Sequence, residues 1–239
     1  MKITVVIPTY NEAENIQKLV PILLSLPIPD LSVLVVDDNS RDGTGDILES
    51  MRSTYEGRLD VLHRPGKMGL GTAYVQGFGL ALKAGADAVA QMDADFSHPP
   101  EKLVELADAL KECDIAIGSR YIKGGSLDEN WPIWRKWLSA FANFYARTIL
   151  GMRLRDCTGG FRLYRKEALE KMQFERVRSN GYIFQVETAY LASRVGCTFK
   201  EIPIYFADRR WGQSKMSLRI QIEAAIRVWQ VLFLYRNLK

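Results

Sequence analysis

Met92-Asp93-Ala94-Asp95 sets two carboxylates one residue apart. The apolar run Ala88-Val89-Ala90 precedes them and reads as a buried strand reaching a sheet edge. In an extended segment residues i and i+2 point the same way, so Asp93 and Asp95 can reach one space. Like charges held together need a proton or a cation between them. A hard divalent cation, Mg2+ or Mn2+, takes oxygen ligands and often links carboxylates to substrate phosphates. The same pair also suits a turn with two solvated acids. The setting favours the metal, because His98-Pro99-Pro100-Glu101 closes the strand and opens a helix. Strand-to-helix loops are where open α/β sheets bind ligands.

More acids are expected at the same edge. The loops after the first, second and fourth strands carry Glu12, Asp37, Asp38, Asp93 and Asp95. Such acids accept hydrogen bonds from ribose or a base edge, or hold metal. Asp37 and Asp38 also suit turn and capping chemistry around Asn39-Ser40. A phosphate-rich ligand needs cations, and Arg120, Arg209, Arg210 and Lys215 are the candidates. Gly69-Leu70-Gly71 lacks a third glycine and comes too late for a dinucleotide fingerprint, and no P-loop is present. His63 and His98 are isolated and read as structural or surface residues, with no Ser-His-Asp pattern.

The elements that must position these groups alternate. Strands are predicted over 3–7, 33–36, 59–63, 88–90 and 114–118, with helices over about 43–54, 71–84 and 100–111 between them. Asn11 and Glu14 form a capping box for the first helix, and Pro21 predicts a kink or early end. This alternation predicts an α/β fold, a largely parallel sheet with helices on both faces. The second half is less regular. It has a helix over 133–150, the glycine-bearing turn Asp156 to Arg162, a helix over 182–195 and an edge strand near 199–206. Residues 207–216 read as a polar loop and 217–236 as a last helix.

Composition narrows the class. The 239 residues are 47% apolar and 25% charged with net charge +4, ordinary for a globular chain facing an anionic substrate or lipid surface. Nucleic acid is not demanded. Cys113, Cys157 and Cys197 match no zinc or disulfide spacing, which favours a reducing cytosol. Met1-Lys2 leads straight into a strand, so no signal peptide is expected. No uncharged apolar stretch reaches about 18 residues, so no transmembrane helix is expected.

The late helices carry a second signal. At about 100° per residue, Trp134, Trp137, Leu138, Phe141, Phe144, Tyr145 and Ile149 share one side, with Lys136, Asn143 and Arg147 opposite. Such a face suits a membrane interface or an aromatic core. In the last helix Arg219, Glu223, Arg227 and Gln230 fall on a narrow wedge, beside Leu218, Ile222, Trp229 and Phe233. That wide apolar surface fits a partner or lipid.

The stretches VVIPTYNEAENI, VVDDNSRDGTGDI, GLGTAYVQGF, MDADFSHPPE, GSRYIKGG, DCTGGFRLYRKEAL, GYIFQVE and DRRWGQSK run from residue 5 to 215. The ordered set resembles the dolichol-phosphate (polyprenol-phosphate) mannose synthases, inverting family-two glycosyltransferases of the GT-A fold. The resemblance implies a GT-A domain over 1–215 and an amphipathic helix over 216–239. Within that domain, about 1–125 would take nucleotide-sugar and metal, and about 126–215 the acceptor. It implies that Pro8, Tyr10, Glu12, Val36 and Asp38 hold the nucleoside. Asp93, Ala94 and Asp95 would form the metal and diphosphate site, with Asp95 the principal ligand of Mg2+ or Mn2+. Arg120, Arg209 and Lys215 would contact phosphates of donor or acceptor, and Ser97 stands where some members carry Gln. Glu187 is a candidate for orienting the acceptor.

The activity implied is transfer of mannose from GDP-mannose to a polyprenyl phosphate. The alternatives are another donor such as UDP-glucose, a soluble or protein acceptor, or a non-catalytic nucleotide-sugar binding protein. Many bacterial relatives continue into transmembrane helices, whereas this sequence stops at Lys239. The expectation is a peripheral enzyme on the cytosolic face of a membrane, with room for a small membrane-protein partner.

Overall fold

The first strand alternates its burial between two cores. Ile3, Val5 and Ile7 enter one apolar cluster and Val6 enters the other. A strand with apolar residues on both faces must lie in a sheet covered on both sides. In the computed structural model, which describes residues 1–208 and 218–238 (side chains of the last helix from 223), that is what forms.

The strands are β1 (Ile3–Thr9), β2 (Leu31–Asp37), β3 (Leu59–His63), β4 (Ala88–Gln91), β5 (Ile115–Ser119), β6 (Ser126–Leu127), β7 (Arg162–Arg165), β8 (Phe199–Pro203) and β9 (Tyr205–Phe206). The helices are α1 (Ala13–Leu24), α2 (Thr44–Thr54), α3 (Leu70–Lys83), α4 (Lys102–Ala109), α5 (Ile133–Ile149), α6 (Lys166–Met172), α7 (Ile183–Arg194) and α8 (Leu218–Tyr235). The main sheet has seven strands in the order β3-β2-β1-β4-β7-β5-β8. Every pairing is parallel except those of β7, which runs antiparallel to β4 and β5. The expected α/β fold with a largely parallel sheet is therefore present. β8 is the predicted edge strand, ending at Pro203, and β9 pairs separately with β6.

One core lies under α1, α2 and α4, with Leu19, Leu48 and Leu106 on the sheet. The other lies under α3, α6, α7 and α8, with Tyr74, Phe78, Leu169, Phe184 and Val231. Each fully buried side chain of this size contributes roughly 1.5–3 kcal/mol. Gly77 lets α3 lie directly on β1, since a Cβ there would run into Val6. That close approach carries Tyr74 to the edge where Asp93 sits.

Three local expectations need correction. The Asn11–Glu14 capping box does not form. Asn11 sits at a left-handed φ of 60° and its Oδ1 accepts the Arg41 N–H. The first N–H of α1, from Ala13, goes instead to Asp42 Oδ2 at 3.0 Å. Pro21 does not end α1, which continues to Leu24. β4 stops at Gln91, so Asp93 and Asp95 lie in a turn and not on strand alternation. α6 was not foreseen, because seven residues are too few to show a period.

Candidate active site

Because β1, β2 and β4 are parallel, their carboxyl ends gather at one edge. β2 ends on Asp37, and the loops that follow the three strands carry Glu12, Asp38, Asp93 and Asp95. Asp37 is buried and accepts from Thr9 Oγ1 at 2.8 Å, Ser40 N at 3.0 Å and Ser40 Oγ at 2.6 Å. It fastens the β1 and β2 loops together, which is turn chemistry. Asp38 forms a buried ion pair with Arg64 at 2.7 Å. Burial pushes the Asp38 carboxyl above its ordinary value, and Arg64 opposes that. Arg64 also donates to Thr72 Oγ1 at 3.1 Å, tying this loop to α3.

The remaining nucleoside candidates gather around this frame. Pro8 pairs in register with Val36 across β1 and β2. Val36 points its side chain into the core, so only its backbone is available to a ligand. The Tyr10 ring lies 4.3 Å from Lys67 Nζ. Glu12 accepts from Asn15 Nδ2 at 2.6 Å, and its own N–H donates to Thr44 Oγ1 at 3.0 Å.

The acid pair is held by a turn. Ser97 donates to Asp95 Oδ1 through its N–H at 3.1 Å and its hydroxyl at 2.6 Å. Ala94 and Asp95 are buried, while Asp93 is half-buried. Tyr74 OH donates to Asp93 Oδ1 at 2.9 Å. Burial, then the Asp93 charge, pushes the Tyr74 phenol well above its ordinary value, so it remains a donor. The Asp93 N–H donates to His98 Nδ1 at 3.1 Å. His98 is stacked on Phe161, and burial lowers its pKa against the pull of Asp93 and Asp95. The expected structural histidine thus holds the backbone of the acid pair. Two carboxylates at a sheet edge, their geometry fixed by neutral donors, suit a hard divalent cation that completes its shell with phosphate oxygens. No third His, Cys, Asp or Glu joins them in a metal-sized cluster among the described residues.

Beyond β4 the site rests on buried charge. Arg120 grips Asp156 through Nε and Nη2, both at 2.7 Å, and Nη2 also donates to Thr158 Oγ1 at 2.7 Å. Burial would favour the neutral guanidinium, and the Asp156 carboxylate more than offsets this. Arg162, fully buried, donates to the carbonyls of Gly159 and Cys157 and to Thr188 Oγ1, each at 2.9 Å. These bonds shape the Asp156–Phe161 turn and press Gly160 against the acid pair. A Cβ on Gly160 would lie 3.2 Å from Gln185 Nε2, 3.3 Å from His98 Cε1 and 3.7 Å from Asp93 Oδ2.

Glu187 does not face this space. It is buried and accepts the N–H groups of Arg178 and Ser179 and, at 2.6 Å, the hydroxyl of Tyr235. It is a clamp between α7, α8 and the preceding loop, which corrects its expected acceptor role. Arg209, Arg210 and Lys215 lie outside the described residues. Sequence reasoning assigned no role to Arg64, Tyr74, Asp156, Arg162 or Gln185. Tyr74, Asp156, Arg162 and Gln185 stood inside matching stretches, but only the long-range contacts show what they touch.

The structure removes the aromatic-core reading of the α5 wheel. Its buried residues are Asn143 and Ala146, while Trp137 is 72% and Phe141 61% exposed. Asn143 donates to the Arg155 carbonyl and accepts the Cys157 N–H at 2.9 Å. The polar side of the helix therefore faces inward, to hold the Asp156 turn, and the aromatic side faces out. On α8, Trp229 and Phe233 are also exposed. Trp229 Nε1 donates to Tyr145 OH at 3.0 Å, and Tyr145 lies beside Phe141 at 6.2 Å. The two helices thus share one aromatic surface.

Comparison with known proteins agrees with this architecture. The family model for glycosyl transferase family 2 matches residues 4–173. A polyprenol monophosphomannose synthase of Mycolicibacterium smegmatis is 45% identical over 214 residues, covering 89% of this chain and 80% of that one. An undecaprenyl-phosphate mannosyltransferase of Micrococcus luteus is 42% identical over 231 residues, covering 95% and 93%. Among solved structures, a mannosyltransferase from Pyrobaculum calidifontis in complex with GDP-Man and Mn2+ superposes with a TM-score of 0.65 at 17% identity. That superposition covers 98% of this chain and 64% of the other, and shows the shared fold. With a family model over most of its length and relatives above 40% identity, the chain belongs to glycosyltransferase family 2.

Proposed function

We propose that this chain transfers mannose from GDP-mannose to a polyprenyl phosphate, with inversion at the anomeric carbon. The observation that carries the reading is the 45% and 42% identity, over most of the chain, to relatives named for mannosyl transfer to polyprenyl phosphates. The site chemistry is consistent. A phosphate monoester has a second pKa of about 6, so at neutral pH the acceptor is largely dianionic and already a nucleophile. No strong general base is then required. This suits a site whose one histidine is buried and spends Nδ1 on the Asp93 amide.

Pro8, Tyr10, Glu12, Asp38 and the backbone of Val36 hold the nucleoside in this reading. Asp93 and Asp95 hold Mg2+ or Mn2+, which when bound neutralises charge on the departing diphosphate. Arg120 keeps Nη1 for a phosphate oxygen while Asp156 fixes the rest of its guanidinium. Arg209 and Lys215 supply further cations. The enzyme works at a membrane surface, with the α5–α8 aromatics in the headgroup layer. This agrees with a lipid acceptor, whose phosphate lies at the bilayer surface.

A panel of radiolabelled sugar nucleotides, one polyprenyl phosphate and Mn2+ or Mg2+, followed by solvent extraction, tests the reading. Label should enter the organic phase from GDP-mannose, stop with EDTA and return with added metal. Organic label from UDP-glucose alone would replace the donor. Label in a new water-soluble product would replace the acceptor. No product from any donor would leave a binding protein.

A further inference from the structure

The strand order β2-β1-β4-β7 lays the edge out as a line. The nucleoside loops stand over β1 and β2, the acid pair over β4, and Gly160 leads into β7 on the far side. A sugar nucleotide whose diphosphate lies at the acid pair must carry its hexose toward Gly160. Gln185, on the first turn of α7, reaches this spot. Its Oε1 accepts from Gln91 Nε2 at 2.6 Å, inside the core. Gln91 Oε1 in turn accepts from Tyr164 OH at 3.4 Å. These two bonds orient the Gln185 carboxamide so that Nε2 faces Gly160, where it donates to no described residue. The residue is only 5% exposed, yet its Nε2 is not among the sealed atoms without a partner, so its N–H groups open toward Gly160, where a ligand can use them.

We infer that Gln185 is a specificity residue that donates a hydrogen bond to a hydroxyl oxygen of the donor hexose. Gln185 Nε2 and Asp93 Oδ2 both lie within 4 Å of the point that a Gly160 Cβ would fill. One is a donor and the other an acceptor. A phosphate oxygen would satisfy the amide but has no proton to give the carboxylate oxygen. A sugar hydroxyl both gives and accepts, and satisfies both. Gly160 is not at a positive φ, so its glycine is needed for this room and not for its backbone. Sites that hydrogen-bond a hydroxyl reject analogues lacking it more strongly than apolar pockets do. The inference rests on the proposed sugar-nucleotide transfer and names the residue that reads the sugar.

Calorimetric binding of GDP and of GDP-mannose, in Mn2+, tests it in the wild type, in Gln185→Met and in the double variant Gln91→Leu/Gln185→Met. The double variant removes both buried partners at once, so a stranded Gln91 cannot explain its behaviour. The expected result is a loss of about tenfold or more for GDP-mannose, with GDP held within about twofold. Deoxy analogues of the sugar should show one position whose hydroxyl matters to the wild type and not to the variants. Equal weakening of GDP and GDP-mannose, or an unchanged deoxy pattern, would overturn the assignment and leave Gln185 a packing residue. If the wild type uses another sugar nucleotide, the proposed donor falls. The same ratio, measured with that nucleotide and its diphosphate, then decides Gln185.

Discussion

The two sides of the sheet edge use charge in opposite ways. Over β1, β2 and β4, hydroxyls and amides aim the carboxylates: Ser97 holds Asp95, Tyr74 holds Asp93, and Thr9 with Ser40 holds Asp37. Apart from the Asp38–Arg64 pair, the donors named here that aim these carboxylates are neutral. Over β7 and β5, charges are paired inside the protein first, with only Nη1 of Arg120 kept for a ligand in the proposed reading. Arg120 and Asp156 neutralise each other, Arg162 spends itself on carbonyls and Thr188, and the polar side of α5 is buried under exposed aromatics. One side is built to bind. The other is a frame that carries Gly160 to the acid pair. Mutations should therefore separate activity from stability according to side.

The largest effect is expected at Asp95. Asp95→Asn keeps an oxygen for the two Ser97 donors, so the turn survives while a charged metal ligand is lost. Stabilisation of a leaving diphosphate by metal is worth several kcal/mol, so turnover should fall by about a thousandfold or more. The melting temperature should stay near wild type. Near-normal turnover at saturating Mn2+ would break the distinction between the two sides.

Asp156→Asn is the converse. It leaves Arg120 buried without its counter-charge, a loss of about 3–5 kcal/mol measurable by denaturant unfolding. Acid should reveal the same pair. Burial alone would raise the Asp156 pKa, but Arg120 brings it below the ordinary 3.8. The unfolded carboxyl then takes up its proton before the folded one. This contribution is full above the ordinary value and is lost as pH falls below it toward the lower folded pKa. The variant should lack that part of the acid limb. An unchanged unfolding midpoint would show that the pair carries no weight in the frame.

Asn143→Ala should act more mildly on the same frame. It leaves the Cys157 N–H and the Arg155 carbonyl without their partner inside the protein, costing about 1–3 kcal/mol. Because the Asp156 turn carries Gly160, donor KM should rise along with the loss of stability. A loss of stability with KM unmoved would detach α5 from the site.

What was legible in the sequence follows from how local its causes are. The alternation of strand and helix patterns is local, and it predicted a largely parallel sheet with helices on both faces, which the two cores bear out. Asp93 and Asp95 could be placed at a strand end because the apolar run stops just before them. The cap of α1 could not be placed, since its acceptor is Asp42, 29 residues away in sequence. The pairing of Arg120 with Asp156 spans 36 residues, so the partner that holds this candidate phosphate-binding arginine could not be read locally. Gln185 was only a letter in a motif, because Gln91, which orients it, lies 94 residues away. For α5 the wheel was right about which residues share a face and silent about which face turns outward. The bonds of Asn143 to the 155–157 backbone settle that.

The smallest effect on stability, and a clear effect on location, is expected from the aromatic surface. Trp137 and Phe141 are exposed, so Trp137→Ser with Phe141→Ser removes little packing and should shift stability by only about 0.5 kcal/mol per site. Had this face been core, the same changes would cost several kcal/mol through cavities and buried hydroxyls. A polyprenyl phosphate keeps its tail in lipid and its phosphate at the surface, so the cleft must be held at headgroup height. Trp and Tyr rings favour that layer, and Tyr145 joins Phe141 to Trp229, extending the surface from α5 to α8. The double variant should therefore bind anionic vesicles less and slow transfer to a long-chain acceptor in vesicles. Transfer to a short, water-soluble polyprenyl phosphate should be spared, because that substrate needs no bilayer. Flotation, a melting curve and the two acceptor assays together decide the matter. Unchanged flotation, or equal loss with both acceptors, would remove lipid from the account of this face.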